Sequence, residues 1–149
     1  FIEATKDNGV EMLKEQQMVV LFPEGESGNF KPSIKAYQLR EFKRGFIRMA
    51  LETNAPIIPT IVLGAEESNI NLSQLKLTRF IPGLKMPIPL NIVPLPARWK
   101  IIFMEPVELP FNEGTENDPE LVHELATEIQ EKMQARIQHE LQNRKSIFF

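Results

Sequence analysis

Apolar and polar positions alternate in blocks that predict helix, strand, helix, strand along the first two-fifths of the chain. Residues 6–16 read as a helix with Val10 and Leu13 on one face, weakened by Gly9. Met18 to Phe22 is a continuous apolar run, the pattern of a short strand buried on both faces of a parallel sheet. Pro23 ends it because proline has no N–H to donate, and Gly25 permits a sharp turn or a close backbone approach. Residues 26–35 form a polar loop, and 38–53 predict a helix with Phe46, Ile47, Ala50 and Leu51 facing a core. Asn54 closes that helix, and Pro56 to Leu63 is a second apolar strand, with Pro59 placed where it begins or on an edge. Strand, helix and strand in this order predict a right-handed parallel crossover.

Beyond residue 63 the pattern is less regular. Residues 69–97 combine apolar side chains, among them Ile81, Leu84, Met86, Ile88 and Leu90, with five prolines between positions 82 and 96. This is no regular helix, and it reads equally as a loop packed over the core or as an acyl-chain groove or bilayer-facing surface. Trp99 to Met104 is a third strand. Asp118 and Pro119 are N-cap and first-turn residues of a long C-terminal helix. Its stripe Leu121, Leu125, Ile129, Met133, Ile137 and Leu141 recurs every four residues, so it turns about 40° per step and swings round the helix. The expected fold is α/β, with a mixed, mainly parallel sheet flanked by helices, in an incomplete domain. Residues 1–110 form the α/β part and 111–149 an acidic linker and C-terminal helix.

Composition narrows the class. The 149 residues are 42% apolar and 25% charged, ordinary for a globular chain, and contain no cysteine, which removes disulfides and thiolate chemistry. No apolar stretch approaches the ~18 residues of a spanning helix, so membrane contact by this portion would be peripheral. The net charge of −3 conceals an asymmetry. Between Lys31 and Arg48 stand six basic residues (Lys31, Lys35, Arg40, Lys43, Arg44, Arg48) and one acid, whereas Glu105 to Glu131 holds nine acids and no Lys or Arg. The basic run directly follows Glu24 and suits a phosphate, with arginine as a bidentate clamp and lysine as a point charge. The same run by itself also fits a solvated helix face. No nucleic-acid partner is expected of an acidic chain without a binding motif.

Phe22-Pro23-Glu24-Gly25 resembles the third signature block of the PlsC-like glycerolipid acyltransferases, the lysophosphatidate acyltransferase superfamily. Ala55-Pro56-Ile57-Ile58-Pro59 resembles the fourth, and the segment Arg40 to Phe46 between them fits as well. Gly64 to Glu67 and Pro94 to Trp99 resemble the phospholipid/glycerol acyltransferase branch, so the likeness spans most of residues 1–110. It implies an acyltransferase that moves a fatty acyl group from acyl-CoA or acyl carrier protein to a glycerolipid hydroxyl at a membrane surface, on its cytoplasmic face. No metal or organic cofactor is implied. In this resemblance Glu24 positions the acceptor's polar head, Pro23 and Gly25 fix its geometry, and Phe22 belongs to the same substrate-binding set. Lys31, Lys35, Lys43 and Arg44 supply cations, and Pro56 and Pro59 shape the wall.

The likeness breaks at three points. The family's catalytic block, His-x4-Asp, is absent: His123 and His139 have no Asp five positions on and lie after the Phe-Pro-Glu-Gly block rather than before it. The expected reading is a fragment, inactive alone, whose upstream portion carries the base; the alternative is a catalytically silent lipid-binding or scaffold relative. Glu26-Ser27-Gly28 replaces the common Thr-Arg-Ser, and Ala4 stands where the second block has a basic residue. Phosphate recognition there would fall to Lys31 or Lys35, or the acceptor is a neutral glyceride or lysophospholipid. His123 and His139 are expected to be exposed.

Overall fold

A computed structural model describes residues 5–25, 28, 31–76, 85–91, 93–110, 114–144 and 146. The described elements are α1 (Lys6–Lys14), α2 (Gly45–Thr53), β1 (Thr60–Leu63), α3 (Ala65–Ser68), β2 (Asn71–Lys76), β3 (Lys85–Pro89), β4 (Lys100–Phe103) and α4 (Pro119–Gln142). They belong to two compact units: Phe1–Gly25, Glu41–Pro59 and Phe103–Lys132 in the first, and Glu26–Arg40, Thr60–Ile102 and Met133–Phe149 in the second. Ala4, Glu26, Ser27, Ile81 to Leu84 and Lys145 lie outside the described residues.

The first unit is built on helices. Gly9, which weakens α1 as a helix former, faces Met49 of α2: a Cβ there would stand 2.7 Å from the Met49 sulfur. Glycine at that point lets Met49 lie against the α1 backbone. Val10, Ile47, Met49, Ala50 and Leu51 are buried, and Lys6 pairs with Glu52 at 2.8 Å across the two helices. That contact, with Lys14 nearby, holds the Glu52 carboxyl below its ordinary pKa. Asn54 takes the left-handed conformation (φ 54°) that ends α2. The chain then forms a reciprocal antiparallel bridge between Ile57 and Val107, and Met104 N–H donates to Pro59 O at 2.9 Å. Pro59 thus stands immediately before β1, as its missing donor requires.

In the second unit Ile61 and Leu63 of β1 are buried while Thr60 and Val62 are exposed, so β1 buries one face. β1 pairs with β4, and β2 pairs with β3 in an antiparallel hairpin of register Lys76–Lys85 to Asn71–Pro89. A two-stranded sheet has only edges, which is how Pro87 and Pro89 are accommodated in β3. Residues 69–97 therefore contain a hairpin that proline content hid. Gly64 (φ 101°) makes the turn from β1 into α3, where an added Cβ would meet Arg98 O at 2.4 Å.

The architecture is mixed α/β, as expected, but a mainly parallel sheet is not present among the described residues. The apolar run 18–22 forms no strand there, and Met18, Val20, Leu21 and Phe22 are exposed, at 84%, 68%, 47% and 81%. Burial on two faces needs neighbouring strands, and no described strand pairs with this run. The expected helix over 38–53 starts only at Gly45. Ahead of it, backbone donors are taken by distant groups: Leu39 N–H by Gln134 Oε1 (2.7 Å), Phe42 N–H by Gln130 Oε1 (3.2 Å) and Lys43 N–H by Pro23 O (2.8 Å). A donor committed elsewhere cannot close a helical turn.

On α4 the start is as read: Asp118 Oδ1 accepts from the amides of Glu120 (2.9 Å) and Leu121 (3.1 Å). Its buried face differs. Val122, Ala126, Ile129, Ile137 and Glu140 are buried, while Leu121, Leu125 and Leu141 are only half-buried. Steps of three and four keep these positions on one side of the helix, which steps of four alone cannot do. His123 and His139 are exposed.

Candidate functional site

Glu24 is set by a tight turn. Gly25 N–H donates back to Phe22 O at 2.9 Å, and Gly25 adopts φ 59°, a left-handed conformation that a side chain disfavours. The turn is tied to the chain ahead of α2 through Lys43 N–H and Pro23 O. The Lys43 side chain then crosses the turn: a Cβ on Gly25 would lie 2.8 Å from both Lys43 Cε and Nζ. Glycine is required here twice over, for its φ and for the lysine lying on it.

Glu41, Phe42, Lys43, Arg44, Gly45 and Arg48 line an open hollow of about 480 Å³ at the start of α2. Its charge is mainly positive. Arg44 is 3.8 Å from Glu41, and among the described residues the Lys43 and Arg48 side chains take part in no ion pair. Phe42 anchors the rim: it is buried, and its ring meets that of Phe46 edge-to-face at 6.0 Å. The arrangement can hold an anionic oxygen group on Lys43, Arg44 and Arg48.

The other expected site residues fall into different surroundings. Lys31 belongs to the second unit and is buried, its ammonium 3.2 Å from Glu66 and donating to Gln38 O at 3.1 Å. Lys31 is therefore engaged in holding its own loop, which argues against its compensating for the missing arginine. Lys35, also in the second unit, ends the short 3-10 turn Ser33–Lys35 and is exposed. Pro59 is buried, and Pro56 lines a separate hollow of about 210 Å³ with Asn54, Ala55, Glu108 and others. Phe22, Pro23, Glu24, Gly25, Lys43 and Arg44 lie within the first unit. Arg48, expected only as one of the six cations of the basic run, joins Lys43 and Arg44 at the hollow.

The polar cluster of the second unit has another character. Tyr37 (φ 61°) donates its amide N–H to Glu66 Oε2 (2.8 Å), accepts from Gly64 N–H through its hydroxyl (2.7 Å) and donates that hydroxyl to Glu67. Glu67 is also paired with Arg144, whose other nitrogen donates to Arg98 O at 2.9 Å. Burial, and then the Glu67 hydrogen bond, push the Tyr37 phenol up to about 12.

Comparison with known proteins gives a family likeness over the first part of the chain. The Acyltransferase family profile matches residues 2–63. Over that stretch the chain is similar to the Acyltransferase family. A 1-acyl-sn-glycerol-3-phosphate acyltransferase of Cocos nucifera is 35% identical over 63 residues, covering 42% of this chain and 18% of the coconut protein. An uncharacterized protein of Mycobacterium tuberculosis is 35% identical across 93% of the chain, and one of Mycobacterium leprae 33% across 93%. The chain spans 42% and 41% of the length of those two relatives. No solved structure matches. The PlsC-like resemblance is thus upheld, and the turn, Lys43, Arg44 and Arg48 all fall inside the acyltransferase-family segment. Among the described residues no helix is long and apolar enough to cross a membrane.

Proposed function

We propose that this sequence supplies the acceptor-holding part of an acyltransferase that moves a fatty acyl group from acyl-CoA or acyl carrier protein to a glycerolipid hydroxyl. The acceptor oxygen attacks the thioester carbonyl carbon, a C–O bond forms, the C–S bond breaks, and the hydroxyl proton leaves on the thiol. Glu24 holds the acceptor's polar head, and Lys43, Arg44 and Arg48 hold a phosphate, on the acceptor or on coenzyme A. The general base that takes the hydroxyl proton is assigned to the part of the relative-length protein that this sequence does not span, since His123 and His139 sit exposed on α4. A lipid acceptor brings the protein to a membrane surface peripherally, on the cytoplasmic face.

The observation that carries this reading is the Lys43 side chain laid across Gly25 of the Phe-Pro-Glu-Gly turn, with two arginines lining the same hollow. The experiment is acyl transfer by the full-length protein and its Glu24→Gln variant. The reading expects the variant to lose turnover by about 100-fold, the scale on which a positioned polar group acts, with its thermal midpoint held. Near wild-type turnover in Glu24→Gln removes Glu24 from the site. A full-length protein that binds lipid and transfers no acyl group supports the catalytically silent relative instead.

A further inference from the structure

Two consecutive amides ahead of α2 bond to two different elements. Phe42 N–H donates to Gln130 Oε1 on α4 at 3.2 Å, and Lys43 N–H donates to Pro23 O at 2.8 Å. Phe42 is held further by its buried ring against Phe46. Lys43, one residue on, lies across Gly25. Gln130 stands 88 positions from Phe42 and outside the family-matched segment, on a stretch of α4 secured by buried Val122, Ala126 and Ile129.

We propose that Gln130 is a positioning residue: its side-chain oxygen straps Phe42 to α4, and this keeps Lys43 seated over the Pro23–Gly25 turn. The proposal rests on the reading that this turn and Lys43 hold substrate. Gln130 itself touches no substrate. A side-chain amide suits the task because it offers an acceptor at a fixed distance from a packed helix, whereas water at the same donor would satisfy the N–H without fixing its place.

The test uses the full-length protein and two substitutions of similar length. Gln130→Glu keeps an acceptor oxygen, and Gln130→Met removes it. Amide hydrogen exchange is followed at Gly25, Phe42 and Lys43 and across α1 and α2, alongside KM and kcat for acyl transfer. In Gln130→Met, exchange at Phe42 and Lys43 should rise by about 10-fold or more while α1 and α2 stay within about two-fold. KM should rise by more than kcat falls, and Gln130→Glu should stay near wild type in exchange. Unchanged exchange at Phe42 and Lys43, or an equal rise through α1 and α2, overturns the proposal. So does an unmoved KM with the strap opened. If the wild-type protein transfers no acyl group, the acyltransferase reading falls by itself, and the exchange pattern alone upholds or overturns the strap.

Discussion

Lys31 and Lys43 stand twelve positions apart in one basic run, and the structure gives them opposite duties. Lys31 is buried, its charge met by Glu66 and a backbone carbonyl. Lys43 is exposed, lies on a glycine and opens onto a hollow with Arg44 and Arg48. The same contrast extends to their surroundings. In the second unit Arg144 is matched by Glu67, Lys100 by Glu140, and Tyr37 by Glu66 and Glu67. Charges that satisfy one another build a loop's shape; charges left open to a hollow are available to a ligand. Counting basic residues after a motif cannot make that distinction, because it depends on which carboxylate the fold brings alongside.

Lys31→Met is the most forceful way to break the comparison. It leaves Glu66 without its cation and Gln38 O without its donor, so stability should drop by about 2–3 kcal/mol, read as a lower denaturant midpoint. A midpoint unchanged from wild type would mean that the Lys31 pair holds nothing.

A smaller effect is expected at Tyr37, and it has a pH signature. The folded pKa near 12 lies above the ordinary 10.0, so the neutral phenol is favoured by the fold. Its contribution is complete below pH 10 and is lost as pH rises through 12. Tyr37→Phe should cost about 1 kcal/mol at neutral pH, from the hydroxyl's bonds to Gly64 and Glu67. It should also remove part of the alkaline loss of stability between pH 10 and 12. Identical alkaline profiles for the two proteins would place the Tyr37 hydroxyl outside the network.

Much of this was legible from local rules. Asp118 and Pro119 start α4 because one side-chain oxygen and one pre-set φ suffice, and both are visible in three consecutive residues. β1 and β4 follow from short apolar runs, and the Phe-Pro-Glu-Gly turn from proline and glycine either side of a glutamate. What stayed hidden depended on distant partners. Residues 38–44 carry helical spacing, yet Gln130, Gln134 and Pro23 claim their donors. The run 18–22 has the apolarity of a buried strand, but burial is a property of neighbours, and four of its five side chains are exposed. On α4 a run of large residues every four positions drew attention from Val122 and Ala126, smaller residues that are the more deeply buried. Of the candidate site, the turn and the basic run were readable, while the engagement of Lys31 and the gathering of Arg48 with Lys43 and Arg44 at one hollow were not.

The most direct measurement is the KM for phosphate-bearing substrate, 1-acylglycerol 3-phosphate or acyl-CoA, in full-length Lys43→Gln and Lys31→Gln proteins. Losing one charge-assisted hydrogen bond to a phosphate is worth a KM increase of about 10-fold or more. The account predicts that increase for Lys43→Gln with one of the two substrates, and an unchanged KM for whatever fraction of Lys31→Gln remains folded. An unchanged KM in Lys43→Gln for both substrates, or an equal rise in Lys31→Gln, would contradict it.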